Sequence, residues 1–332
     1  LDATILVCTR NRAQALGPCL DAIAGAIAAV PQASVELVVV DNGSTDATPQ
    51  VLRDWADRTS APVRIIREER PGLSIARNTG VRAAAGRLII FTDDDCRPAQ
   101  DYLVDVFAHD RADGDQLVLR GGRVELGDPA DLPFTILTGR EARRFHKDTA
   151  PVRGEHLGGL ILGANMVCRR AVFEKIGLFD ERFGAGGPLR AGEDSDFMFR
   201  AYLAGIAIEY VPDMVIRHFH GRRESADIQR LIGAYDEAEG SIYLKFWRRD
   251  PALVRQFFWD VSNSLKEARG KAPQLEFGHT HRAKVASNLK GALRYLKMGG
   301  ARPYEEPRLE ASGRLGGQPL VEVGPDPLLK VG

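Results

Sequence analysis

The chain has 332 residues, with 45 acidic and 45 basic side chains and a formal net charge of +0 at pH 7. Balanced charge leaves no electrostatic footprint for nucleic acid, no apolar run approaches the length needed to cross a bilayer, and the length suits one α/β domain with an appendage or two domains. Cys8, Cys19, Cys96 and Cys168 are scattered without CxxC spacing, which argues against a zinc site or a disulfide framework and for reduced thiols in the cytosol.

In chain order, Ala3 to Cys8 is apolar and β-branched and predicts a strand. Neither a basic start nor a cleavage-site pattern precedes it, so no signal peptide is expected, and the sequon Asn42-Gly43-Ser44 reads as accidental. Leu16 to Val30 is Ala-rich and helical, Val35 to Val40 a second buried strand, Pro49 to Arg58 a helix, Val63 to Arg67 a strand, Ser74 to Ala85 a helix and Arg87 to Phe91 a fourth strand. Strands hydrophobic on both faces, alternating with helices, predict a mostly parallel sheet covered on two sides.

From about Leu117 the pattern loosens. Strands are expected at Gly163 to Cys168, Ala207 to Val211 and Val215 to His218, and a helix at Ser195 to Ala204. The expected organisation is a domain over residues 1–224, split into a nucleotide-binding half (1–116) and an acceptor half (117–224). A helical region (225–298) and a poorly ordered tail (299–332) follow.

The apolar run Leu88 to Phe91 leads straight into Thr92-Asp93-Asp94-Asp95. Three carboxylates at the mouth of a sheet repel one another, and a hard divalent cation such as Mg2+ or Mn2+ is the usual remedy. A solvated turn with one carboxylate capping a helix near Ala99 is the plain alternative. Position favours a site, because ligands of open α/β sheets bind beyond the carboxyl ends of the strands. The turn Thr9-Arg10-Asn11-Arg12 carries no glycine fingerprint and no Walker A sequence occurs, so a nucleotide would be held by side chains and a metal.

Five elements then occur in order: Val7-Cys8-Thr9-Arg10-Asn11-Arg12, Val39-Val40-Asp41-Asn42-Gly43-Ser44-Thr45-Asp46, Ala76-Arg77-Asn78-Thr79-Gly80, Asp93-Asp94-Asp95 and Gly192-Glu193-Asp194-Ser195-Asp196. In this the chain, over roughly residues 3 to 220, resembles family-2 glycosyltransferases. The resemblance implies an inverting, metal-dependent enzyme of the A-type glycosyltransferase fold. It would move a sugar from a nucleotide-sugar donor, a UDP-sugar by preference, to a hydroxyl of a glycan or lipid-linked acceptor, in bacterial envelope or exopolysaccharide synthesis. No QxxRW element or membrane helix is visible, which favours non-processive transfer. The competing class is a non-catalytic nucleotide-sugar sensor or scaffold of the same fold.

The resemblance also implies roles. Thr9 lies against the base and Asp41 accepts the uracil imide N–H, an Asx-turn role being the alternative. Arg77 lies near base and diphosphate, a surface pair with Glu68 or Glu69 being its alternative. Asp93 and Asp94 belong to the donor site, with Asp93 at the ribose, and Asp95 binds the metal. Asp194 is the general base and Glu193 positions the acceptor, the alternative for both being helix capping. The glycines of Gly184 to Gly192 would let a loop close over the substrates.

His218 and His220 end a strand on one face, and the family's metal histidine aligns with His218. Arg222 and Arg223 either meet the diphosphate or face solvent. Between His279 and Met298, Val285, Ala286, Leu289, Leu293 and Leu296 recur at helical spacing among basic residues. That stripe is either a membrane-surface helix or one packed on the domain or a second subunit.

Overall fold

The computed structural model describes residues 1–150 and 157–299. All but the first residue of the predicted tail therefore lies outside the described residues. The N-terminal half runs β1 (Ala3–Thr9), α1 (Leu16–Ala28), β2 (Val35–Asp41), α2 (Thr48–Ala56), β3 (Val63–Arg67), α3 (Leu73–Ala83), β4 (Leu88–Asp93), β5 (Cys96–Pro98) and α4 (Tyr102–Ala112). Then come β6 (Val118–Leu126), β7 (Arg143–Phe145), β8 (Asn165–Arg169), α5 (Arg170–Ile176), α6 (Glu193–Leu203) and β9 (Ala207–His218), followed by α7 (Ser225–Phe246), α8 (Arg255–Glu267) and α9 (His281–Lys297).

The sheet order is β3-β2-β1-β4-β8-β6-β9-β5, with β7 on β9. β1 to β4 are mutually parallel, and β6 and β9 run the same way, while β5, β7 and β8 oppose them. Strand alternation sends Ile5, Val7, Leu37, Val39, Leu88 and Ile90 to one face, under α1, α2 and α4. Leu6, Val38, Val40, Ile89 and Phe91 go to the other, under α3, α5, α6 and α7. Burial on both faces is what a near-continuous apolar strand sequence requires.

Several boundaries depart from the sequence reading for identifiable reasons. No helix starts at Ala99, because its N–H bonds Val215 O and the preceding residues pair with β9 as β5. The two short strands expected between Ala207 and His218 are one strand, with a register shift between Gly122 and Arg123 of its partner β6. β6 itself carries Arg120, Gly121, Gly122 and Arg123, which hides it from a pattern search. The region 225–298 is not a separate body: Ala238, Ile242, Phe246 and Tyr295 share one core with Phe183, Phe197 and Phe199. α9 reaches α7 through two glycines. A Cβ at Gly291 would stand 1.7 Å from Glu237 O, and one at Gly240 1.9 Å from Asn288 O.

Candidate active site

Parallel register gathers the carboxyl ends of the strands at one edge. Thr9 pairs with Asp41, Asp41 with Arg67, and Cys8 with Asp93. Thr9 and Asp41 are buried, and Asn42 N donates to Thr9 O at 2.8 Å. The loops above the edge are zipped together: Asn11, at φ 55, donates its N–H to Ser44 Oγ and accepts from Thr45 N, while Arg12 N donates to Thr48 Oγ1. Asp41 accepts from Ser44 N at 2.9 Å through Oδ1 and from Arg67 at 2.8 Å through Oδ2. Asp41 thus orders its own turn from the side chain, and Arg67, to which the motif reading gives no part, stands beside the carboxylate. The last residue of β3 was the available signal.

Arg77 is not a surface arginine. It is 3% exposed, with Nη1 2.9 Å from Glu193 Oε1 and Nη2 3.3 Å from Asp93 Oδ1. Its guanidinium also lies 5.8 Å from the Phe91 ring and 5.7 Å from the Phe179 ring. Glu68 instead meets Arg70 and Thr79. Gly163 leaves room for this clamp, since a Cβ there would approach Arg77 Nη2 to 2.8 Å. Burial raises the pKa of Asp93 even though Arg77 opposes it. Burial likewise pushes Glu193 up to about 7, with Asp194 adding to the rise and Arg77 opposing.

In the acidic triplet, burial pushes Asp94 up to about 6 against the pull of Arg12. Asp95 sits below the usual carboxylate range because His218 and Arg12 outweigh its burial. Arg12 Nε is 3.1 Å from Asp94 Oδ1 and its Nη2 bonds Asp95 Oδ2. Arg12 is the second residue missed from sequence, although it stands in the turn directly above three carboxylates.

β5 and β9 place Cys96 opposite His218, and Phe219 N donates to Asp95 O. His218 Nε2 is 3.2 Å from Asp95 Oδ1, and its Nδ1 is 3.3 Å from Thr135 O. Burial works against a charged His218, yet Asp95 more than offsets it and the pKa lies above the ordinary value. Asp95, Cys96 and His218 bring ligand atoms within 4.8 Å of one another. Burial holds the Cys96 thiol well above its ordinary pKa, so the donor set is carboxylate and imidazole, which fits Mn2+ or Mg2+ better than a thiophilic metal. A backbone carbonyl on Nδ1 is the partner that orients a ligating histidine.

His220, though its ring is 5.1 Å from that of His218, is committed to the backbone. Nδ1 accepts from Arg222 N at 3.0 Å, and Nε2 lies 3.1 Å from Leu132 O. Arg223 pairs with Asp128 and Asp131, whereas Arg222 has no ion pair among the described residues and contributes to lowering Asp95. Of the two arginines, Arg222 is the one available to an anion.

Glu193 and Asp194 form the first turn of α6, where a helix favours negative charge. No side chain caps this helix. Asp194 is half-buried and held from two sides, by Gly163 N at 2.9 Å and Ser195 N at 2.7 Å. The glycines ahead of it shape a turn that packs beside α3. Gly184, Gly186 and Gly192 have positive φ, Leu73 N donates to Ala185 O, and Leu189 and Ala191 are buried.

The site thus combines the polar carboxyl ends of parallel strands, a carboxylate–imidazole pair and a second carboxylate held by two backbone N–H groups. The sequence profile described as glycosyl transferase family 2 matches residues 4–177. Among curated relatives, glycosyltransferase AglE of Haloferax volcanii is 28% identical over 65% of this chain and 66% of its own length. Validoxylamine A glucosyltransferase of Streptomyces hygroscopicus subsp. jinggangensis is 26% identical over 78% of this chain and 64% of its own. The chain therefore spans less than two thirds of these relatives. A Pyrobaculum calidifontis mannosyltransferase solved with GDP-Man and Mn2+ shares the fold at TM-score 0.58 and 20% identity, covering 91% of this chain and 88% of that one. S. aureus TarS 1–349 with UDP does so at TM-score 0.52 and 17% identity, over 90% and 92%. With the family profile covering more than half of it, the chain belongs to glycosyl transferase family 2.

Proposed function

We propose that this protein transfers a sugar from a nucleotide-sugar donor, with UDP as the nucleotide, to a hydroxyl of a glycan or lipid-linked acceptor with inversion, one sugar at a time. The observation that carries the reading is Asp194, half-buried and fixed by Gly163 N and Ser195 N, next to the Arg77 clamp that reaches Asp93. A carboxylate so placed can take the proton of an acceptor hydroxyl as it attacks the anomeric carbon. One displacement inverts that centre. Glu193 positions the acceptor from the adjacent position.

Asp41 and Arg67 set an acceptor beside donors at the strand edge, a pattern that complements an imide N–H flanked by carbonyls, and Thr9 supports the base from β1. Asp93 and Asp94 face the donor, with Asp93 at the ribose. Arg77, itself paired with Asp93, acts on the donor by holding that carboxylate. Asp95 and His218 would hold Mn2+ or Mg2+, which supplies positive charge to the diphosphate leaving group. Arg222 offers a further cation to the same group. Envelope or exopolysaccharide synthesis, at the cytoplasmic side, is the setting that such donors and acceptors favour.

A panel of nucleotide sugars offered with Mn2+, read as donor hydrolysis and then repeated in excess EDTA, tests this. UDP-sugar turnover that chelation abolishes and Mn2+ restores is expected. Full activity in EDTA would sink the metal assignment, and no turnover of any donor would favour the sensor or scaffold reading.

A further inference from the structure

The two last helices are built inside out. α8 buries Asp260 and Asn263 and exposes Phe258, Trp259 and Leu265. α9 buries His281, Asn288 and Gly291 and exposes Leu289, Leu293 and Leu296. The buried polar groups hold the helices together: His281 Nδ1 is 2.9 Å from Asp260 Oδ1, and Asn288 Nδ2 donates to Asp236 O at 2.7 Å. Docking of α9 therefore runs through Asn288 and Gly291 on α7 and through Tyr295 on Arg182 and Phe183, and leaves the leucine stripe outside. Leu265 is 69% exposed, Phe258 63% and Leu293 59%. Single exposed leucines need no explanation, but six large apolar side chains on two helices in contact do.

Leu289, Leu293 and Leu296 fall on one helical face by their spacing. The exposed charges on the two helices themselves are basic, with Glu276 exposed in the connection between them and Glu237 of α7 taken up by Lys290 and Arg294. α9 contains no acidic residue, and Arg282 and Lys297 are exposed at its two ends. On α8, Arg255, Lys266 and Arg269 at its border are exposed, while Asp260 is buried and Glu267 accepts from His281 N and Arg282 N. The whole chain is neutral, so the bias is local. A two-fold pairing of this face with itself would set cations against cations. A negatively charged apolar surface has the complementary chemistry, and Trp259, whose ring is 5.2 Å from that of His281, suits a boundary that is wet on one side.

We propose that the outer face of α8 and α9 docks on an anionic lipid bilayer, with Leu289, Leu293 and Leu296 entering the headgroup boundary and Arg282 and Lys297 meeting lipid phosphates. Binding of this kind needs neither donor nor metal, so it stands or falls separately from the reaction proposed above.

The test is co-sedimentation of the 332-residue chain with phosphatidylglycerol-containing vesicles and with pure phosphatidylcholine vesicles. Binding to the anionic vesicles, weakened by salt, is expected. Leu293→Glu with Leu296→Glu should lower the bound fraction at least about ten-fold, as expected when charge replaces buried apolar surface. Arg282→Gln with Lys297→Gln should weaken binding to anionic vesicles only. Both positions are exposed, and circular dichroism checks that each variant is folded. The proposal is overturned if the chain ignores anionic vesicles or if the double-Glu variant binds like wild type. It is equally overturned if sedimentation velocity shows a dimer that the double-Glu variant dissolves without any vesicle binding. Binding that appears only after residues 300–332 are removed would assign the face to the tail instead.

Discussion

Arg77 joins the two chemical halves of the site at a single side chain, because it touches both Asp93 and Glu193. Removing it leaves the buried Glu193 and the half-exposed Asp93 without their cation, and breaking a buried pair from one side typically costs about 3–5 kcal/mol. Arg77→Ala should lose that much stability in denaturant titration, and Arg77→Lys should recover only part, since one ammonium cannot serve both carboxylates in the fork geometry. Wild-type stability in Arg77→Ala would refute the clamp. Glu193 gives a pH signature. Its ordinary value is 4.5 and the folded protein raises it to about 7, chiefly by burial. Between those values the folded state keeps a proton that the unfolded chain releases. Stability relative to Glu193→Gln is therefore fully present below about 4.5, falls as pH rises toward about 7 and then levels off. A difference that stays flat across that window would contradict the raised value. At this scale the sequence was legible where carboxylates cluster: Asp93, Asp95, Glu193 and Asp194 do gather with His218. It was silent on Arg12 and Arg67, because an arginine in a turn or at a strand end has no local pattern that separates a site from solvent.

Among the elements, the α7–α9 contact depends on glycine for proximity. At Gly291 a side-chain carbon would overlap Glu237 O, so α9 must move away from α7 to admit one. Overpacking of this kind costs about 1–3 kcal/mol, and Gly291→Val should lower the denaturation midpoint accordingly. An unchanged midpoint would mean that the two helices are not so close. This crossing also bears on the two readings of the leucine stripe of α9, which stays exposed. The helix packs on the domain through Asn288, Gly291 and Tyr295, two of which carry no apolar signal at all. The first four strands were readable because alternation with helices and burial on both faces leave continuous apolar runs. β6 was not, because its glycines admit Ile161 and the Met214 backbone, and its Arg120 is buried with Asp113 and Glu209.

For the whole molecule, α7 braces the helix that carries the proposed base. Lys245 of α7 is 3.0 Å from Asp180 and 2.7 Å from Asp196 of α6, two residues beyond Asp194. The helix that carries the proposed base is thus fixed from the sheet side by Arg77 and from the outside by α7, which is the rigidity that positioning of a general base demands. The boundary expected at residue 224 is crossed by this network and by the shared core, so the described residues on its two sides pack together. Asp194 is the residue on which the account turns. The most direct measurement compares wild type with Asp194→Asn, following UDP binding by calorimetry with Mn2+ and sugar turnover on the donor that the panel identifies. Unchanged UDP affinity is expected, with turnover reduced at least about 10²-fold, the usual worth of a general base. Turnover equal to wild type in Asp194→Asn would contradict the assignment of Asp194 as the base.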